Sequence, residues 1–192
     1  MPDDEIKPDG SRGELGLHVA TDADIPAIRA LQMRAIEELQ TPFLSPAQIR
    51  ASHAGMGLDT QLIADGTYFC VHDGLTGDLA GCGGWSRRAT LYGGNHSAGR
   101  DARLLDPARD AARIRAMYTH PDHVRRGVGR LILGAAEAAA ASEGFQRLEM
   151  AATAAGRPFY LACGYAVNGS FTDEAGGDAV PLYNMSKTLA CV

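Results

Sequence analysis

Residues 112–143 read ARIRAMYTHPDHVRRGVGRLILGAAEAAAASE, and this stretch decides the fold. Its first part places apolar and β-branched residues between arginines and stops at Pro121, which cannot donate a hydrogen bond within a sheet. The run after Arg130 is rich in Leu, Ile and Ala, which favour a helix, and Gly144 ends it. The stretch therefore predicts a strand, a glycine-rich turn and a helix in succession.

The turn between this strand and helix has the composition of a phosphate site. A helix start exposes unpaired N–H groups and carries a partial positive charge, and small residues there let an anion approach the backbone. An ordinary turn with solvated arginines explains the same residues, so both interpretations stay open at this point. Spacing excludes a dinucleotide-binding turn, which needs a third glycine where Ile132 stands, and a Walker loop, because no G-K-S/T occurs. The turn residues in question are Arg125, Arg126, Gly127, Gly129 and Arg130.

Two motifs together resemble the GNAT-type N-acetyltransferases. The segment MYTHP at 117–121, followed by GVGR at 127–130, is similar to the acetyl-CoA-binding core of that family. The segment FYLACGY at 159–165 resembles the family's FYxxxGF motif at the expected separation. The resemblance covers residues 15–189 and is strongest over 112–165. It implies an α/β (α+β) fold with a mixed, centrally splayed β-sheet flanked by helices, and direct transfer of an acetyl group from acetyl-CoA to a primary amine of a small molecule or peptide.

The resemblance also implies which residues bind acetyl-CoA. Val124 occupies a slot where the family has Gln or Arg, which removes one side-chain contact to the pyrophosphate that Arg125 or Arg126 can replace. Thr153 and Ala154 stand where the family often has an asparagine for the pantetheine arm. The cofactor-binding residues expected on this basis are Met117, Tyr118, Thr119, Arg125, Arg126, Gly127, Val128, Gly129 and Arg130.

Acyl transfer to an amine requires a free amine, a donor for the developing oxyanion and a proton for the leaving thiolate. Glu149 alternates with apolar neighbours on the predicted next strand and is the candidate general base, with a structural carboxylate as the alternative. Tyr160 is the candidate acid, because the family places a tyrosine of this motif beside the sulfur; a core tyrosine is the alternative. The resemblance implies that the oxyanion meets a backbone N–H near Met117 to Thr119, where the family's central strand separates from its neighbour.

The remaining chain predicts one mixed domain around this centre. Capping residues at Asp24 and Ser45 predict two early helices, which in the resembling family form part of the acceptor wall. Asp73-Gly74 predicts a hairpin turn, and glycines around Cys82 indicate close approach of another backbone or a ligand. Residues 87–110 form a long polar excursion, which predicts either a cover for the acceptor site or a dimer contact. Trp85 is interpreted as a core anchor or, less readily, as part of an acceptor pocket.

Composition limits the possible partners. The chain has 192 residues, 45% hydrophobic and 21% charged, with a net charge of −5, which argues against nucleic-acid binding. Four separated cysteines and the lack of an apolar span predict a reduced, cytoplasmic protein with no membrane partner.

Residues 1–14 are expected to be a flexible tail and 15–192 a single GNAT-like domain, with a homodimer possible. His120, Asp122 and His123 lack a third ligand at suitable spacing, so no metal is predicted. A non-catalytic acyl-CoA sensor or interaction domain is the alternative function.

Overall fold

The structure is a computed structural model and describes residues 14–189. The predicted tail, residues 1–14, lies outside the described residues except for Glu14. The strands are β1 (Leu15–Val19), β2 (Tyr68–Asp73), β3 (Leu79–Ser86), β4 (Ala112–Thr119), β5 (Arg147–Thr153), β6 (Ala166–Asp173) and β7 (Val180–Thr188). The helices are α1 (Ile25–Leu39), α2 (Pro46–Gly55), α3 (Thr60–Ala64), α4 (Val128–Ser142) and α5 (Arg157–Leu161).

All seven strands form one mixed sheet in the order β1-β2-β3-β4-β5-β7-β6. Only β4 and β5 run parallel, as expected for strands joined by a crossover helix, here α4. Their pairing is limited to Ala112 with Leu148 and Arg113 with Glu149, and beyond these residues the two strands separate. The mixed, centrally splayed sheet predicted from the sequence is therefore confirmed.

Helices cover both faces of the sheet. Alternate residues of the strands point to opposite faces, which gives two apolar clusters. The cluster under α4 includes Ile132, Leu148 and Met150, and the cluster under α1 and α3 includes Ile28, Leu62 and Cys70. Trp85 belongs to the first cluster, where its ring meets the edge of Phe145, so it is a core anchor.

The early helices begin at the predicted positions, but of the two expected caps only Ser45 bonds its helix through its side chain, because the carboxylate of Asp24 accepts hydrogen bonds from Thr21 instead. Ser45 accepts a hydrogen bond from the Gln48 amide, and the Gln48 side chain accepts one from the Ser45 amide, which completes a capping box before α2. Helix α3, which the sequence analysis missed, is short and has Asp59 as its N-cap. Among residues 14–189, none of the helices combines the length and apolarity needed to cross a membrane.

The glycines of β3 make room for close backbone contacts, as predicted. A Cβ at Gly83 would lie 3.0 Å from the Cα of Met117 on β4, and one at Gly84 would collide with the Thr67 carbonyl. Larger residues at these positions would force the central strands apart.

The excursion at 87–110 is fixed to the domain by a buried ion cluster. The guanidinium of Arg115 on β4 donates to Asp59 at 2.9 Å and to the carbonyl oxygens of Thr90 and Gly93. Arg100, in the excursion, donates to the other oxygen of Asp59 at 2.7 Å. These contacts hold the excursion against the start of α3, on the α1 face of the sheet.

Removal of the shared carboxylate tests this anchor. Asp59→Ala leaves the guanidinium of Arg115 buried without its counter-ion, and breaking a buried pair from one side costs about 3–5 kcal/mol of unfolding free energy. The measurement is urea denaturation followed by circular dichroism. Asp178→Ala, an exposed position in the turn before β7, serves as control and should shift the unfolding free energy by less than about 0.5 kcal/mol. Equal stability of the two variants would contradict the anchoring role.

Candidate active site

The glycine-rich turn presents an open helix start. Gly127 is the N-cap of α4 with a φ of +90°, a conformation that favours glycine, and a Cβ there would meet no atom within 4 Å. Arg125, two residues earlier, also has a positive φ of 63°. The first amides of α4 therefore border open space, the geometry in which a helix start binds an anion.

A cavity of about 770 Å³ begins at this turn and runs between β4, α1 and α5. Eight of the nine residues predicted to bind the cofactor line it, and Arg126 is the exception. Helix α1 and the segment after it form the opposite wall with Ile36, Leu39 and Phe43. The eight predicted residues are Met117, Tyr118, Thr119, Arg125, Gly127, Val128, Gly129 and Arg130.

Whereas Arg125 lines the cavity, its neighbour Arg126 is paired with a carboxylate outside the cavity. Its guanidinium donates to the buried carboxylate of Asp73 at 2.5 Å, and His123 Nε2 lies 3.3 Å from the same oxygen. The Leu75 amide and the Arg126 guanidinium hold the pKa of Asp73 at about 2, so this carboxylate is ionised at neutral pH. Arg126 thus fastens the turn to the end of β2, and its side chain does not face the cavity.

A second, smaller cavity of about 90 Å³ lies next to the first, at the splay between β4 and β5. Its walls come from the end of α2, the excursion and the separating parts of β4 and β5, including Gly57, Tyr92, Ala116 and Ala151. The two cavities meet at six residues that line both of them. These residues are Met56, Met117, Tyr118, Thr153, Gly156 and Tyr160.

Tyr160 stands at the junction of the two cavities. Its ring packs against Phe159 and Tyr165, and within the described part of the chain its hydroxyl makes no hydrogen bond. Burial raises the pKa of Tyr160 above its ordinary value of about 10, so the phenol stays protonated at neutral pH. A proton donor without a competing partner therefore borders both cavities.

Residues 16–165 match the model of the Acetyltransferase (GNAT) family. The chain belongs to the GNAT acetyltransferase family. No curated protein matches its sequence. Among solved structures, a GCN5-related N-acetyltransferase from Rhodopseudomonas palustris is similar with a TM-score of 0.66 and 22% identity, covering 93% of this chain and 97% of that chain. The yncA protein from Salmonella typhimurium, solved with its cofactor acetyl-CoA, has a TM-score of 0.59 and 18% identity over 93% and 96% of the two chains.

Family membership makes the chain an acetyl-CoA-dependent acetyltransferase, as the sequence predicted. A third neighbour carries the same fold with coenzyme A bound: the paia N-acetyltransferase from Thermoplasma acidophilum, with a TM-score of 0.58 and 11% identity over 92% of this chain and 99% of that chain. The structural likenesses support the fold, and the family match supports the enzyme class.

The structure of this GNAT domain does not bring Glu149 to the cleft, contrary to the sequence-based expectation. Its carboxylate is paired with Arg113, at the point where β4 and β5 are still joined, and it lines neither cavity. Alternation along β5 does place Glu149 opposite the buried Leu148 and Met150, as predicted. The position along the strand is what separates it from Tyr160, because the splay opens only after this residue.

Thr153 remains in the place where the family often has an asparagine. It lines both cavities, and its hydroxyl accepts a hydrogen bond from the Gly156 amide at 3.1 Å, which shapes the turn into α5. Sequence reasoning missed Met56 and Tyr92 as wall residues. No motif marks them, since their place depends on how the excursion folds back onto α2.

One group of possible metal ligands occurs within residues 14–189, at the edge of the sheet away from the cleft. Donor atoms of His18, Asp24 and Cys70 lie within 4.8 Å of one another. Asp24 already accepts hydrogen bonds from the amide and hydroxyl of Thr21, and burial raises the pKa of the Cys70 thiol to about 12. These existing roles account for the cluster without a metal.

The open helix start predicts the effect of a bulky acidic residue in it. A Cβ at Gly129 would lie 3.2 Å from the Phe159 ring, so Gly129→Glu places bulk and negative charge where the cavity begins. We expect coenzyme A binding, measured by titration calorimetry, to be lost. Gly134→Glu is the matched control, because it introduces the same side chain on an exposed part of α4 with open space around it. Retained affinity in a folded Gly129→Glu protein would refute this location of the site.

The two adjacent arginines should contribute differently to binding. Arg125→Gln removes a charge at the cavity and should weaken coenzyme A binding about fivefold, as for an exposed charge pair of about 1 kcal/mol, and should reduce its salt dependence. The double variant Asp73→Asn/Arg126→Gln removes one positive and one negative charge, so the net charge is unchanged. The salt dependence of its coenzyme A affinity should therefore match the parent's. Affinities measured between low and physiological salt decide between these outcomes.

Proposed function

We propose that this acetyltransferase moves the acetyl group of acetyl-CoA directly to a primary amine of a small molecule or peptide. The observation that carries the proposal is the meeting of two cavities at Tyr160, one reaching the helix start and the other reaching the surface near α2 and the excursion. Among the residues that line these cavities in the described chain, none is a cysteine or serine. Direct transfer is therefore favoured over a covalent acyl-enzyme.

The larger cavity fits acetyl-CoA as the co-substrate. Gly127 and Gly129 leave the first amides of α4 accessible to a pyrophosphate, and Arg125 and Arg130 line the same end with positive charge. The far end, at Met117 and Tyr118, is mostly apolar and suits the pantetheine arm and the acetyl group. Val124 also lines the cavity, although it brings no charge to the slot that holds Gln or Arg in the resembling family.

Tyr160 supplies the proton that the leaving thiolate needs. As the amine nitrogen bonds to the acetyl carbon and the carbon–sulfur bond breaks, the phenol donates its proton to sulfur and is then reprotonated from solvent. The developing charge on the acetyl oxygen is met by backbone N–H groups of β4, which beyond Arg113 has no strand partner on its β5 side. The raised pKa of Tyr160 keeps this proton in place until transfer.

The amine loses its proton to water in this proposal. No carboxylate among the described residues lines either cavity, and the carboxylate of Glu149 is paired with Arg113 outside them. An amine with a pKa of about 10.4 is mostly protonated at pH 7, so the neutral fraction limits the rate. The rate should consequently rise about tenfold per pH unit up to the amine's own pKa.

The smaller cavity restricts the acceptor to slim amines. Its volume of about 90 Å³ holds several water-sized groups, and Tyr92 and Met56 narrow it from two sides. A primary amine on an unbranched arm, of a small molecule or of a peptide side chain, fits this shape better than an α-branched or secondary amine.

A thiol-release assay over a panel of amines tests the function. The purified protein is mixed with acetyl-CoA and either unbranched or α-branched primary amines, and free coenzyme A is followed with a thiol reagent. Release with unbranched amines is the expected result. Tight binding of acetyl-CoA without release for any amine would instead support the sensor or interaction domain that the sequence left as the alternative.

Substitution of the proposed acid separates its chemistry from its packing. Tyr160→Phe keeps the ring between Phe159 and Tyr165 but loses the proton, so kcat should fall about 10² to 10⁴-fold while coenzyme A affinity stays near the parent's. Because the pKa of Tyr160 is raised, the parent should show no decline in rate up to about pH 10.

Glu149→Gln is the comparison variant for this experiment. If Glu149 were the base, the variant would lose most of its rate at low pH. If Glu149 lies outside the cleft, the pH–rate profile of the variant should run parallel to the parent's. We expect parallel profiles. If Tyr160→Phe turned over at the rate of the parent, Tyr160 would be a packing residue and not the acid.

A further inference from the structure

One residue of the central strand has a backbone conformation that its side chain does not favour. Ala116, in the middle of β4, has a φ of +50° and lines the smaller cavity. The pairing of β3 with β4 shifts register at this level, between Cys82 and Gly84, so β4 carries a bulge there. A non-glycine residue keeps a positive φ only where its surroundings hold it, and such residues cluster at functional sites.

A buried tyrosine holds this bulge from the other side of β3. The hydroxyl of Tyr68, on β2, donates to the Ala116 carbonyl at 2.8 Å. It accepts a hydrogen bond from the side-chain Nε2 of Gln32, on α1, at 3.3 Å. Tyr68 is 1% exposed and Gln32 3% exposed, so neither group has water as a substitute partner. Gly84, opposite Tyr68 on β3, has no side chain to separate the phenol from β4.

The hydroxyl of Tyr68 remains a donor under all ordinary conditions, since burial raises its pKa well above the usual value. Tyr68 itself lines neither cavity. Its influence on the reaction must therefore pass through the peptide unit that joins the Ala116 carbonyl to the N–H of Met117, a residue that lies where the two cavities meet.

We infer that Tyr68, supported by Gln32, is a positioning residue that fixes the bulge at Ala116 and thereby aims the β4 backbone at the acetyl group. The inference rests on the proposed function for its effect on turnover. It has a binding consequence that is independent of turnover: the bulge matters to a ligand that carries an acetyl group and is indifferent to free coenzyme A, which lacks one.

The test measures acetyl-CoA and coenzyme A affinity side by side in Tyr68→Phe, together with kcat and KM. We expect acetyl-CoA to bind about tenfold more weakly and coenzyme A to bind as in the parent, with a fall in kcat of about tenfold. Tyr165→Phe is the matched control: it removes a tyrosine hydroxyl that bonds Glu137 on α4 rather than the β4 backbone, and it should leave the ratio of the two affinities unchanged.

A rescue variant distinguishes positioning from general stability. Glycine adopts a positive φ without help, so Ala116→Gly should restore most of the affinity ratio and of kcat when added to Tyr68→Phe. An equal loss for both ligands, an unchanged ratio, or failure of Ala116→Gly to rescue would each overturn the inference. If the parent released no thiol with any amine, the proposed function would fail while the affinity ratio still decided the role of Tyr68.

Discussion

The early end of the parallel pairing between β4 and β5 is the constraint on which the site depends. Two adjacent strands normally satisfy each other's backbone groups along their length, and here they do so only through Ala112 and Arg113. Beyond that point, the backbone of β4 faces a gap that borders both cavities. Buried amides without partners are costly, so the gap is stable only if it is filled by water or by a ligand. The cost of the splay and the binding of substrate are therefore linked.

Charge around this gap is distributed so that few cations are free to bind phosphate. Arg113, Arg115 and Arg126 come from the same stretch of sequence, yet each is paired with a carboxylate: Glu149, Asp59 and Asp73. Among the described residues of the turn, Arg125 and Arg130 make no ion pair. The positive charge available to a ligand is consequently concentrated at the start of α4, where the helix dipole adds to it.

The sequence predicted the parts of the fold that local rules govern. The strand, turn and helix of residues 112–143, the capping box at Ser45 and the close approach at Gly83 all follow from residue type and spacing. The positions that it did not predict depend on register and long-range pairing. Glu149 lies on the expected face of β5, but only the pairing with β4 shows that the splay begins beyond it.

The two arginines of the turn show the same limit. Arg125 and Arg126 are the same residue type and adjacent in sequence, and no local rule assigns one to the cavity and the other to Asp73. The positive φ of Arg125 turns the chain between them, and the partner carboxylate comes from a hairpin that the sequence marked only as a turn.

The distribution of polar and apolar residues along the larger cavity explains why the proposed reaction is placed at its far end. In the proposed binding mode, Arg125, Arg130 and the helix amides hold the phosphate groups at the α4 start, and the apolar arm extends from there toward Met117 and Tyr160. The reacting end of the co-substrate is thus delivered to the junction by charge at the opposite end. Because the junction lacks carboxylates among the described residues, no carboxylate there competes with the leaving thiolate for the proton of Tyr160. In the proposed reaction, this separation of phosphate binding from acyl transfer along one cleft allows a single tyrosine to serve as the acid.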